Sequence, residues 1–295
     1  MSTVIPVVLL KTCLFAPGHL NQRILFSIAC PRGIACTAEE LKQKTVEAFD
    51  RYIRVTDAGM DAEIRRGGPF LWLDTLPEPR RQRIHDSTRR GQLEIHQEKA
   101  GEEGKPIEVP DGLIHHWVGI AFVPGVSLER PLSLLQDYDN HWRTYNPEVR
   151  RSNVLEHSDN TFKIYLQFYR DSPRRVSFNT EFEVHYSRID AKHVISRAVS
   201  TRIAELQHPE QPDSPEFPVD LGHGYLRRLN SYWRLEKKDV GVYMQVETIV
   251  LSRDVPAILA WFVNPLIRRV ARQSVINVLN ATRRGLLNSR AGVKP

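Results

Sequence analysis

The chain has 295 residues, 41% of them hydrophobic and 26% charged, which is the composition of a folded globular protein rather than a disordered one. The net charge is +6, yet the segment from Asn264 to Pro295 holds seven basic residues and no acidic one. The rest is close to neutral, with 34 basic and 35 acidic residues. This distribution argues against a nucleic-acid-binding face spread over the molecule, so no nucleic-acid partner is expected.

The cysteines Cys13, Cys30 and Cys36 are confined to the N-terminal part of the chain. Their spacing matches neither a zinc knuckle nor a CxxC pair, so we expect no cofactor and no structural metal. Two apolar runs of seven and six residues in the same region are too short to span a bilayer. We expect residues 1–36 to be an unpacked extension or a degenerate export signal, which leaves open a soluble protein of the cytoplasm or an exported one.

Residues 37–111 are expected to form an α-rich segment, here called the preface. The sequence Thr37-Ala38-Glu39-Glu40 fits a capping box, which predicts an amphipathic helix from there to Gly67. A second, strongly basic helix is expected over Leu76–Arg90, with Pro77 in its first turn. Leu93–His96 alternates like a strand.

From Leu113 the pattern changes to long alternating segments separated by turn residues, which is typical of an antiparallel sheet with a buried face. One helix is expected after Ser127, and a final helix from Pro256 to about Leu287, bent at Pro265. The predicted strands are Leu113–Val123, Val149–His157, Thr161–Arg170, Arg175–Ile189, His193–Gln207, Tyr225–Lys237 and Gly241–Ser252.

Two local motifs resemble a known family. The first is Leu134-Leu135-Gln136-Asp137-Tyr138-Asp139 followed by Tyr145-Asn146-Pro147-Glu148-Val149, and the second is Asn230-Ser231-Tyr232-Trp233-Arg234-Leu235 followed by Gly241-Val242-Tyr243. With the order of elements, they resemble the START-like (SRPBCC) superfamily of polyketide cyclases, lipid-transfer domains and coenzyme Q-binding proteins. The resemblance implies an α+β helix-grip fold over residues 112–287, followed by a tail at 288–295. In that fold a curved antiparallel sheet of about seven strands surrounds a long C-terminal helix.

Such a sheet leaves a tunnel beside the helix, lined by alternate side chains. Alternation also places Trp233 with Leu229 and Leu235 on the buried face. A filled core without ligand would have the same composition and stays open. The expected apolar lining residues are Phe162, Ile164, Leu166, Phe168, Phe178, Phe182, Met244 and Val246 on strands, with Phe262 and Leu266 on the final helix.

Polar residues inside the strands are candidates for orienting a ligand, because a buried polar group needs a partner. From this pool we select Arg202 and Tyr232 as ligand-binding residues. The alternative is cross-strand pairing on the solvent face, for example of Arg234 with Glu247. The pool is Asn179, Glu181, Arg202, Asn230, Tyr232 and Glu247.

Common catalytic motifs are absent: the sequence holds no G-x-S-x-G, H-E-x-x-H, Walker loop or G-x-G-x-x-G. His115 and His116 are neighbours on a strand and therefore point to opposite faces, so they cannot form a two-histidine ligand pair. His141 could act as a general base, but no nucleophile accompanies it and a structural role is favoured. No catalytic residue is assigned.

The leading hypothesis is a non-catalytic binder or carrier of a hydrophobic small molecule, such as a lipid, an isoprenoid or a polyketide-like compound. The alternatives are a cyclase- or aromatase-type enzyme that uses the same tunnel, and an interaction scaffold with a filled core. Arg268, Arg269 and Arg272 of the final helix could meet an anionic membrane surface. The sequence does not address the oligomeric state.

Overall fold

The computed structural model describes residues 41–102, 104–238, 240–254 and 257–291, with the backbone alone for 257–267 and 289–291. The cysteines and the capping box at Thr37 lie outside the described residues. The helices are α1 (Gln43–Arg65), α2 (Glu78–Arg89), α3 (Glu129–Gln136), α4 (His141–Thr144) and α5 (Ala257–Ala291), with 3₁₀ turns at Trp72–Thr75 and Tyr138–Asn140. The strands are β1 (Glu94–Gln97), β2 (Gly101–Glu102), β3 (Lys105–Pro106), β4 (Gly112–Pro124), β5 (Val149–Ser158), β6 (Thr161–Arg170), β7 (Val176–Arg188), β8 (His193–Glu205), β9 (Arg228–Lys238) and β10 (Gly241–Arg253).

The main sheet has eight antiparallel strands in the order β1-β4-β10-β9-β8-β7-β6-β5, and β2 and β3 form a separate hairpin. The predicted α+β class is confirmed. The sheet has one strand more than expected, because β1 of the preface pairs with β4 at its edge, Glu94 opposite Ile120 and Gln97 opposite Trp117.

The inner face of the sheet is the face toward α5. Trp117, Ala121 and Val123 alternate along β4 and share an apolar core with Val275 and Leu279 of α5. Between them lies Gly119, where a Cβ atom would overlap the side chains of Val275 and Leu279. Glycine is therefore what lets α5 approach β4 this closely.

The outer face of the sheet is covered by the preface. One apolar cluster joins residues near α2 to β4 and β10, and a second joins α1 to β9 and β10. Full burial of each large apolar side chain contributes about 1.5–3 kcal/mol, so this interface is a major part of the folded core. The first cluster holds Leu71, Leu73, Ile84, Val118, Ile120, Phe122 and Tyr243, and the second holds Phe49, Tyr52, Met60, Tyr232, Ile249 and Leu251.

The start of α1 differs from the prediction. The described helix begins at Gln43, and Lys42 before it is extended, with φ −76° and ψ 141° and no side-chain cap. The backbone amide of Leu41 instead donates to the carbonyl of Asp220 at 3.2 Å. This tertiary hydrogen bond ties the chain before α1 to the loop between β8 and β9, which a local capping pattern cannot indicate.

Candidate functional site

The inner face of the central strands holds a group of partly exposed residues, here called the groove floor. A cross-strand row runs from Thr248 on β10 through Ser231 on β9 to Ala198 on β8. Central positions of a sheet covered by a helix are normally fully buried, so their exposure marks an area that α5 leaves open. The groove floor consists of Ala198, Ser200, Leu229, Ser231, Trp233, Thr248 and Val250, all partly exposed.

The contacts of α5 explain this opening. The helix packs along β1, β4 and β10 and against α3 and α4. At the other edge it is held by polar contacts, since Asn277 Nδ2 donates to Glu148 Oε1 at 2.6 Å and the guanidinium of Arg170 donates to the hydroxyl of Ser274. The helix thus bridges the two sides of the sheet over β8 and β9.

Most of the predicted lining residues do lie together on the inner face. Six of them belong to the apolar core shared with α5, and Phe168 packs against that core while remaining partly exposed. Phe178 is buried opposite Phe168 in the β6–β7 register. The side chains of Phe262 and Leu266 lie outside the described residues. The six core members are Phe162, Ile164, Leu166, Phe182, Met244 and Val246.

The two selected polar residues are on the opposite side of the sheet. Tyr232 packs in the outer cluster with α1, because its neighbour Trp233 occupies the inner face. In β8 the register shifts, with Phe182 opposite Ser200 but Glu181 opposite Arg202, so Thr201 is an extra residue. This bulge turns Arg202 outward, where it forms an ion pair with Glu216. Neither side chain joins the groove floor.

The rest of the polar pool also serves the outer face. Asn179 accepts from Tyr165 Oη at 2.7 Å and donates to Glu216 Oε1 at 2.7 Å. Glu247 accepts from His116 Nε2 at 2.7 Å instead of pairing with Arg234. Arg234 forms its ion pair with Glu63 of α1, at 3.1 Å.

The polar groups beside the groove floor include hydroxyls and a histidine. Ser200 Oγ accepts from the backbone amide of Leu229 at 2.9 Å. His115 Nε2 lies 3.0 Å from Ser252 Oγ, and both residues are buried. Burial lowers the pKa of His115 to about 4, and the positive charge of Arg268 acts in the same direction. His115 is therefore neutral near pH 7, and the polar pair that it forms with Ser252 contains no carboxylate.

His141 lies in a second buried cluster at α3 and α4. Its ring contacts those of Tyr138 and Tyr145, with centroids 4.7 Å and 4.9 Å away. Tyr138 Oη and Tyr186 Oη are 2.6 Å apart, and Tyr145 Oη is 3.1 Å from Thr282 Oγ1 of α5. Burial lowers the pKa of His141 to about 4. The cluster fastens α5 to α3 and α4, which agrees with a structural role for this histidine.

No family model and no curated protein sequence matches the chain. Its order of strand, short helices, six antiparallel strands and long C-terminal helix can be compared with solved structures. The similar solved structures include START-related and aromatase/cyclase proteins. A fragment of the STAR-related lipid transfer protein from Xanthomonas axonopodis is 15% identical, with a TM-score of 0.43 over 64% of this chain and 98% of that chain.

Two further structures are similar. Human STARD10 is 12% identical, with a TM-score of 0.42 over 72% of this chain and 80% of that chain. The Zhui aromatase/cyclase from Streptomyces sp. R1128 is 12% identical, with a TM-score of 0.39 over 62% of this chain and all of that chain. Similarities at this level identify neither a ligand nor an activity for this chain.

Proposed function

We propose that the chain binds a hydrophobic small molecule, such as a lipid, an isoprenoid or a polyketide-like compound, on the groove floor beneath α5, without catalysing a reaction. The observation that carries this proposal is the partial exposure of Leu229, Trp233 and Val250 in the centre of the sheet. Apolar side chains that remain partly exposed beneath a helix favour binding of an apolar ligand. The hydroxyls of Ser231 and Thr248 beside them suit a ligand that also has a polar group.

The main alternative is a cyclase- or aromatase-type enzyme that uses the same site. The pair His115 and Ser252, 3.0 Å apart, is the arrangement that favours it. General-base catalysis is most effective when the pKa of the base is near the working pH, and His115 has a pKa of about 4. The lowered basicity therefore supports a binder over an enzyme. A scaffold with a filled core is disfavoured by the partly exposed groove floor.

Native mass spectrometry of protein purified without detergent tests the binder. We expect a retained ligand with a mass of several hundred daltons, about the size that fills a typical protein pocket. A protein that is uniformly without ligand, and that binds no lipid-like probe, would contradict the proposal. Turnover of a polyketide-like substrate that is lost on His115→Gln would favour the enzyme.

We also propose that α5 approaches anionic membranes. The side chains of Arg268, Arg269 and Arg272 are exposed on α5. Each arginine near an anionic surface contributes about 1 kcal/mol to binding, and salt screens this attraction. In the described part of the chain, no helix is long and apolar enough to cross a bilayer.

Replacing the three arginines together by glutamine should weaken binding to phosphatidylserine vesicles and reduce its salt dependence, with the melting temperature unchanged. The membrane proposal would be contradicted if the wild-type protein did not bind such vesicles, or if the triple variant bound them equally well.

A further inference from the structure

Arg170 is the last residue of β6 and lies at one end of the inner face. It alternates with Phe168 and Leu166, which face α5, and it is opposite Val176 of β7. Phe168, Arg170 and Val176 are all partly exposed. This end of the inner face therefore combines an arginine with apolar side chains that solvent can reach.

The guanidinium of Arg170 has an unusual set of partners. It donates to the hydroxyl of Ser274 on α5, and among the described residues no carboxylate lies within 4 Å of it. Glu148 is close enough to affect the pKa of Arg170, but its Oε1 accepts from Asn277 at 2.6 Å.

Other arginines of the sheet are paired differently. Each of four partly or fully buried arginines on the outer face or at its edge forms an ion pair with a carboxylate. These pairs are Arg197 with Asp61, Arg202 with Glu216, Arg228 with Asp220, and Arg234 with Glu63. Arg170 differs from them because its hydrogen-bond partner among the described residues is a neutral hydroxyl, and Glu148 acts on it only from beyond ion-pair distance.

Burial of a cation without a counter-charge costs free energy, and a guanidinium does not escape this cost by losing its proton. Burial lowers the pKa of Arg170 below its ordinary value, because the charged guanidinium is less stable in a buried position. An anion at the site would remove the penalty. A guanidinium offers two parallel N–H donors that match the oxygens of a carboxylate or a phosphate.

We propose that Arg170 binds the anionic head group of the groove ligand, with the hydroxyl of Ser274 beside it. The apolar part of the ligand then extends past Phe168 toward Trp233 and the rest of the groove floor. This inference rests on the proposed hydrophobic-ligand function and narrows the ligand to an anionic amphiphile. Its head group is a carboxylate or a phosphate monoester.

Three probes with the same eighteen-carbon chain test the inference: oleate, oleyl phosphate and oleyl alcohol. Their affinities are measured by competition with the neutral dye Nile red. In the wild type, we expect at least one of the two anions to bind about tenfold or more tightly than the alcohol, because charge-assisted hydrogen bonds are strong. The preferred anion distinguishes a carboxylate ligand from a phosphate ligand.

The variants are Arg170→Gln and, as the matched control, Arg175→Gln, which removes an exposed arginine paired with Asp171 at 2.7 Å. Arg170→Gln should lose the preference for the anion and keep the affinity for oleyl alcohol. Arg175→Gln should behave as the wild type does.

Equal affinities of the wild type for all three probes would overturn the inference, and this measurement needs no variant to fold. A preference that survives Arg170→Gln would also overturn it, while binding of the alcohol would leave the proposed function intact. Absence of binding of any probe to the wild type would instead overturn the proposed function and the inference with it.

Discussion

The two faces of the central sheet have different environments, and the neighbouring residues His115 and His116 illustrate the contrast. On the outer face, His116 lies between Tyr52 Oη, at 2.9 Å, and Glu247 Oε1, at 2.7 Å. Tyr52 Oη also accepts from the backbone amide of Ala100, at 2.7 Å. On the inner face, the one hydrogen bond described for His115 goes to a serine hydroxyl.

The same contrast holds for apolar residues. Ile249 of β10 is fully buried beneath the preface, whereas the next residue, Val250, is partly exposed on the groove floor. The outer face is therefore a folding interface that the preface covers. The inner face near β8 and β9 still has surface that a further molecule can cover. The experiments below test this difference.

The largest effect is expected from shortening the buried residue of the pair Ile249 and Val250. Ile249→Ala should lower the free energy of unfolding by about 2–5 kcal/mol, because it leaves a cavity in the outer cluster. Val250→Ala, the matched control, should cost less than half as much, since its side chain is already partly exposed. Urea unfolding measures both. Equal losses would contradict the difference between the two faces.

A smaller loss of stability is expected when the pH is lowered and His115 can take up a proton on unfolding. The pKa of His115 is about 4 in the folded protein and 6.5 without burial. Because the unfolded chain binds more protons between these values, stability should be complete above pH 6.5 and fall as the pH falls toward 4. The contribution of one histidine is at most about 1.4 kcal/mol per pH unit.

Replacing His115 by glutamine should reduce this slope, whatever its effect on stability at pH 7. His208→Gln is the matched control, because His208 is exposed. Urea unfolding from pH 7 to pH 4 gives the slopes. A slope that His115→Gln leaves unchanged would show that this side chain is accessible to protons in the folded protein.

The smallest of the three effects is expected in the polar network of the outer face. Tyr52→Phe leaves His116 Nδ1 and the amide of Ala100 without their partner, which should cost about 1–3 kcal/mol. Tyr169→Phe removes a hydroxyl whose hydrogen bond to Asp171 is exposed, and should cost little. Thermal unfolding compares the two. A neutral Tyr52→Phe would mean that water replaces the hydroxyl and that the interface is less dry than its burial indicates.

The alternation of the sequence was sufficient to predict the strands of the sheet and the apolar inner face. Thr161–Arg170 was predicted to the residue, and Trp233 lies on the inner face with Leu229 and Leu235 as expected. Tyr232, selected as a ligand-binding residue, lies in the outer cluster. Adjacent strand residues face opposite sides, so the placement of Trp233 already indicated the outer face for Tyr232.

Other features depend on contacts that the sequence pattern does not contain. Arg202 would face inward by alternation, and only the bulge at Thr201 turns it outward. The partners of Arg170 are set by the position of Ser274 on α5, more than 100 residues away in the chain. The place of β1 at the sheet edge likewise comes from tertiary pairing with β4.

The central claim is that the groove floor binds an apolar ligand, and two adjacent residues of β8 test it directly. Ala198 lies on the groove floor, while Val199 is 45% exposed and pairs with Asn230 of the outer face. Nile red binding is measured for the wild type, Ala198→Trp and Val199→Trp, each checked for folding by thermal unfolding. We predict that indole bulk at position 198 fills the groove and weakens binding about tenfold or more, while Val199→Trp binds as the wild type does. Equal binding by both variants, or none by the wild type, would contradict the claim.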